Sequence, residues 1–139
     1  MSLIYIAGPL FTPGERSFLE QIDALCHALG FATYLPHRDA GLFTRGSESS
    51  NYFFQNDSRK LVDSDLVIAV LNGLEIDSGT AWEMGYAFAL NKPIIGYLDD
   101  SRIFNPAQQL NPMILNSINI LVKNIDDLRA ELLIYREKI

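Results

Sequence analysis

The sequence predicts an α/β protein built on a five-stranded parallel sheet with helices on both faces. Three observations predict it. Short apolar runs alternate with helical stretches five times along the 139 residues, the pattern of parallel strands joined by helical crossovers. The run Leu66-Val67-Ile68-Ala69-Val70-Leu71 is apolar at every position, as a central strand covered on both faces requires. Turn residues punctuate the runs, with Gly8-Pro9 after the first and Pro36 after the second.

Taken in order, Ile4-Tyr5-Ile6-Ala7 is a buried strand stopped by Gly8-Pro9. Glu15 to Leu29 is a helix, because Phe18, Ile22, Leu25 and Leu29 fall on one stripe, and Gly30 sits at its C-cap. Phe31 to Leu35 is a second strand. His37 to Ser50 carries charges, glycines and serines without a clean period and reads as a loop. Ser50 to Val62 is a helix of moderate pattern, followed by the central strand Leu66 to Leu71 and a polar loop from Asn72 to Ser78. Gly79 to Leu90 is helical and Pro93 to Leu98 is a strand. Asp99 to Pro112 is irregular, with Asn-Pro twice. Ile118 to Val122 and Ile125 to Arg136 close the pattern as strand and helix.

No repeat, low-complexity segment or linker interrupts the chain, so residues 1–139 read as one domain. Charged residues are 20%, hydrophobic residues 48%, and the net charge is -6. Those values exclude a disordered chain. Only 11 scattered Lys and Arg argue against a protein that grips nucleic-acid polymers by their phosphates. The single cysteine, Cys26, excludes an internal disulfide and a cysteine zinc cage. No apolar run reaches the roughly 18 to 20 residues of a membrane helix, and Met1 to Leu10 lacks the basic start of a signal peptide. A soluble cytoplasmic protein is the expectation.

In open parallel sheets the ligand sits beyond the carboxyl ends of the strands. Chemistry is therefore expected at Gly8 to Phe11, His37 to Phe43, Asn72 to Ser78 and Ser101 to Met113. Glu83 draws attention there. It is the one charged residue in Ala81-Trp82-Glu83-Met84-Gly85-Tyr86-Ala87-Phe88-Ala89-Leu90. A helix apolar all round is expected to be buried all round. Its neighbours Gly79, Thr80, Tyr86 and Ala87 offer no cation. Such a carboxylate is paired from elsewhere, shifted in pKa, or used; the alternative is a narrow exposed strip. Ser78 is the expected N-cap. Asp77, Asp57 and Glu75 lie close by in this topology, although each alone also reads as a capping, surface or loop charge. Converging carboxylates suit acid and nucleophile work on a glycosidic bond, or a divalent metal. His27 reads as exposed and His37 as bonded to a loop carbonyl, so neither is a strong metal ligand.

The segments Ile4-Tyr5-Ile6-Ala7-Gly8-Pro9-Leu10-Phe11, Asn56-Asp57, Ser64-Asp65-Leu66-Val67-Ile68-Ala69 and Asp77-Ser78-Gly79-Thr80-Ala81-Trp82-Glu83-Met84-Gly85-Tyr86-Ala87 together resemble the nucleoside 2-deoxyribosyltransferase family. The resemblance implies a flavodoxin-like (Rossmann-like) three-layer sandwich. It also implies an enzyme that breaks the N-glycosidic bond of 2'-deoxynucleosides and passes deoxyribose to a free base or to water. Glu83 would be the nucleophile at C1', Asp77 the acid that engages the base, and Asp57 a second acid beside both. Tyr5 would stand beside the nucleophile. Gly8, Pro9 and Phe11 would border the base pocket, with Ser78 and Gly79 at the substrate. Asn111-Pro112-Met113 matches a segment that closes a neighbouring subunit's site, which implies a homo-oligomer with a shared active site. No cofactor or metal is implied.

A related branch hydrolyses 2'-deoxynucleoside 5'-monophosphates. It has a first loop richer in Gly and Arg, and a Ser at the place of Asn111. Gly8-Pro9-Leu10-Phe11 offers no cation for a phosphate, though Arg16 is near and Ser78 can donate. The neutral nucleoside is therefore the expected substrate. A non-catalytic nucleotide-binding module on the same fold is the third reading.

Overall fold

The computed structural model describes residues 1–43, 49–100, 102 and 110–139. Five strands, β1 (Leu3–Ala7), β2 (Ala32–Tyr34), β3 (Leu66–Val70), β4 (Ile94–Tyr97) and β5 (Ile120–Val122), pair in the order β2-β1-β3-β4-β5. Every pairing is parallel. The order reverses between β1 and β3, and this switch point is where open parallel sheets take their ligands.

Among the described residues there are six helices: α1 (Pro13–Ala28), α2 (Pro36–Asp39), α3 (Ser50–Asp63), α4 (Ser78–Ala89), α5 (Pro112–Leu115) and α6 (Ile125–Glu137). Alternation along the strands divides the core into two layers. Ile4, Ile6, Ile68 and Val70 pack with Leu19, Ile22, Leu128 and Leu132 of α1 and α6. Tyr5, Ala7, Val67 and Ala69 face the other way, onto Leu61 of α3 and Met84 and Ala87 of α4. Helices on both faces of a parallel sheet make a three-layer sandwich. Among the described residues, no helix is long and apolar enough to cross a membrane.

Local chemistry sets the helix ends. α1 starts earlier than its apolar stripe, at a capping box in which Thr12 and Glu15 satisfy each other's backbone N–H groups. Its C-cap is Leu29, and Gly30 follows at φ 91°. The expected loop after β2 begins instead with α2. Pro36 presets the first helical turn, and Asp39 Oδ2 accepts from Leu35 N at 2.8 Å. Another short helix, α5, opens where the irregular stretch was expected to end. Pro112 stands at its first turn, and Asn111 Oδ1 accepts from Met113 N at 2.9 Å. The remainder of the two expected loops falls largely on residues 44–48, 101 and 103–109, outside the described residues.

Two expectations need correction. The N-cap of α4 is Asp77, not Ser78: Asp77 Oδ2 accepts from Thr80 N and from Thr80 Oγ1, both at 3.0 Å. Nor is α4 buried all round. Met84 and Ala87 are fully covered, while Trp82 is 49% and Phe88 58% exposed. The helix packs one face on the sheet, so an apolar sequence here leaves an apolar outer strip.

Candidate active site

The parallel register between β1 and β2 sets Tyr5 opposite Tyr34 on the face that meets α3 and α4. The two rings stack with centroids 5.3 Å apart and planes inclined by 30°. Each hydroxyl reaches a helix-borne acid. Tyr5 Oη donates to Glu83 Oε2 of α4, and Tyr34 Oη donates to Asp57 Oδ1 of α3 at 2.8 Å. Two buried phenols thus hold two carboxylates from the neighbouring helices α3 and α4.

Burial controls the ionisation of all four groups. Loss of water pushes the Glu83 carboxyl up to about 8. The Tyr5 hydroxyl opposes this shift, while the nearby Asp57 and Asp77 charges add to it. Burial also raises Asp57, and the Tyr34 hydrogen bond pulls it back. Tyr5 is driven far above the usual phenol range, first by burial and then by the charges of Glu83 and Asp57. Tyr34 moves the same way through burial and its bond to Asp57. Both phenols therefore stay protonated and act as donors.

A cavity of about 330 Å³ opens above this pair. Asp57, Asp77 and Glu83 all line it, with Ser58 beside them. Leu10, Phe11, Pro36, Phe54 and Trp82 give it apolar walls, and Gly8 and Gly79 form part of its floor and rim. Apolar walls with a few convergent polar groups are the usual make-up of a small-molecule site. The two glycines have separate reasons. A Cβ at Gly8 would lie 2.8 Å from Leu19 Cδ2 and 3.0 Å from Val70 Cβ, so only glycine lets the chain turn there without displacing the core. A Cβ at Gly79 would lie 3.3 Å from Asp77 Oδ2, crowding the carboxylate that caps α4. Among the described residues no three His, Cys, Asp or Glu side chains gather in a way that could hold a metal ion.

The sequence profile of nucleoside 2-deoxyribosyltransferases matches residues 4–129, which span every strand and the acids just described. The chain belongs to the nucleoside 2-deoxyribosyltransferase family. Solved structures agree on the fold. A conserved protein from Enterococcus faecalis is 25% identical, with TM-score 0.83 over 100% of this chain and 99% of its own. The 2-deoxyribosyltransferase of Bacillus psychrosaccharolyticus is 22% identical, with TM-score 0.76 over 92% and 90%. The Clostridium botulinum CMP N-glycosidase BcmB is 18% identical, with TM-score 0.63 over 96% and 99%. An uncharacterised protein of Ureaplasma parvum is 33% identical over 100 residues, which span 66% of this chain and 62% of that protein.

Of the residues that the family resemblance singles out, the structure brings Glu83, Asp77, Asp57, Gly8, Phe11 and Gly79 to one cavity, with Tyr5 bonded to Glu83. It does not bring all of them. Pro9 is buried and Ser78 exposed, and neither lines the cavity. Asn111 and Met113 line a second hollow of about 890 Å³, with Glu75 and Ile76. Among the described residues His37 bonds no loop carbonyl; its Nε2 lies 3.1 Å from Glu20 Oε1. Sequence reasoning missed Tyr34, Pro36, Phe54, Ser58 and Trp82. Tyr34 and Pro36 stand at the end of a predicted strand, on the ligand edge, which is the signal that points to them. Phe54 lies one turn before Asp57 on α3 and Ser58 directly after it, and only the helix phase identifies them.

Proposed function

We propose that this chain cleaves the N-glycosidic bond of 2'-deoxynucleosides and transfers 2-deoxyribose to another base, or to water, through a covalent Glu83-deoxyribosyl intermediate. One observation carries the proposal: a part-buried Glu83, gripped by Tyr5, shares an apolar cavity with two further acids.

A Glu83 carboxylate oxygen attacks C1' as the C1'–N bond breaks, and the electron pair leaves with the base. Asp77 supplies the proton that makes the base a competent leaving group. Positive charge builds on the sugar ring in the transition state, and the surrounding carboxylates stabilise it. The Tyr5 hydroxyl orients the carboxylate and stabilises its charged form. In the second half, a nitrogen of an incoming base, or a water oxygen, attacks C1'. The ester bond breaks, its electrons return to Glu83, and the attacking group gives a proton to Asp77. Two displacements retain the configuration at C1'. Phe11, Phe54 and Trp82 would sandwich the base, and Asn111-Pro112-Met113 would serve the site of another copy of the chain.

The neutral nucleoside is favoured over its 5'-monophosphate because no described Lys or Arg lines the cavity. Arg16, which follows the Gly8 to Phe11 loop, donates from Nη1 to the Leu10 carbonyl at 2.9 Å and braces that loop instead. Arg45 lies outside the described residues. Incubation with deoxyadenosine and free cytosine tests the proposal. Formation of deoxycytidine is expected. Free adenine without deoxycytidine would leave only a hydrolase. Turnover confined to deoxyadenosine monophosphate would replace the substrate, and inertness toward both would favour a binding module.

A further inference from the structure

We propose that Tyr34 is a positioning residue of this site, whose hydroxyl fixes the Asp57 carboxylate at the cavity wall and through it governs the reaction at Glu83. The inference rests on the proposed function and adds a residue that touches neither the cavity nor Glu83.

Three features carry it. Tyr34 is 5% exposed, and its register partner Tyr5 stacks on its ring, so the phenol has little room to swing. Its hydroxyl donates to Asp57 Oδ1 at 2.8 Å, and among the described residues this is the one side-chain hydrogen bond that Asp57 receives. Asp57 lines the cavity, and its charge acts on Glu83 across it. A carboxylate held by one rigid donor keeps both its direction and its negative charge, and a charge-assisted bond of this kind is among the stronger ones. Tyr5 and Tyr34 thus work as a matched pair, one phenol for each acid. A plain core tyrosine would need only some acceptor for its hydroxyl; here the acceptor is a site acid.

Tyr34→Phe keeps the ring and the stack while removing the donor. Its kcat for deoxynucleoside cleavage is expected to fall about ten-fold with KM little changed, and the melting temperature should stay close to wild type. In the Asp57→Asn background the same change should cost less than about two-fold, because the group it acts through is gone. Carbon-13 NMR of the Asp57 carboxyl should show its titration moving to higher pH in Tyr34→Phe. An unmoved Asp57 titration would overturn the inference, as would a ten-fold loss that persists undiminished beside Asp57→Asn. A wild type inert toward deoxynucleosides would overturn the proposed function instead, and the NMR titration would still decide whether Tyr34 governs Asp57.

Discussion

Replacing Glu83 by Gln should stabilise the protein in alkaline solution and do little in acid. The amide oxygen can still accept from Tyr5, so the substitution removes the charge and keeps the shape. In the wild type, burial pushes the Glu83 carboxyl from an ordinary 4.5 up to about 8. Below the lower value both folded and unfolded chains hold the proton, and no stability is lost. Between the two, the unfolded chain gives up its proton while the folded one keeps it. Stability then falls by about 1.4 kcal/mol per pH unit. Above the upper value both are ionised and the loss is complete. The full interval gives about 4 to 5 kcal/mol, and water in the open cavity screens this to about 3 kcal/mol. Urea unfolding of both proteins, followed by far-UV circular dichroism at pH 5 and pH 8.5, measures the difference. Glu83→Gln should gain about 2 kcal/mol on wild type between the two conditions, since pH 5 already lies above the unfolded value. An equal offset at both pH values would show that Glu83 ionises normally, and the reasoning from burial would fail.

The same electrostatics predicts two opposite shifts in the acid limb of the kcat/KM profile. Asp57→Asn removes a charge that raises Glu83, so the limb should move to lower pH; Tyr5→Phe removes the donor that lowers it, so the limb should move higher. Limbs that stay together or exchange order would contradict this. Asp77 both caps α4 and faces the cavity. Asp77→Asn should keep the cap and lose about 100-fold in turnover, whereas Asp77→Ala should add about 1 kcal/mol of instability in urea titrations. Gly8→Ala should destabilise by about 1 to 3 kcal/mol, because its methyl group would meet Leu19 and Val70; thermal unfolding unchanged from wild type would show that the loop gives way freely.

Much of the fold was legible because the sequence repeats one physical statement. Apolar runs such as Leu66 to Leu71 admit only a covered strand, and the alternation of runs and amphipathic helices admits only a parallel sheet. The ligand edge then follows from topology, which is why Glu83, Asp77 and Asp57 could be expected to lie near one another before any coordinates. What escaped was set by contacts distant in sequence or by short-range competition. Tyr34 gains its place from the β1–β2 register, which periodicity does not encode. Ser78 and Asp77 are both good caps, and the choice of Asp77 came from Thr80, which offers two donors to one carboxylate. The outer strip of Trp82 and Phe88 ran against the rule that an apolar helix is buried, because composition cannot say whether the covering partner lies within the chain. α2 and α5 were hidden because four-residue helices have no period to read.

Whether Glu83 becomes covalently bonded to the sugar is the most direct question to put to this protein. Enzyme mixed with deoxyadenosine, without an acceptor base, can be quenched in acid, digested and examined by peptide mass spectrometry. A deoxyribosyl ester on the peptide carrying Glu83, absent from Glu83→Gln, is the expected result. Continued turnover with that peptide unmodified at every quench time, or with the sugar attached to a different side chain, would contradict the account.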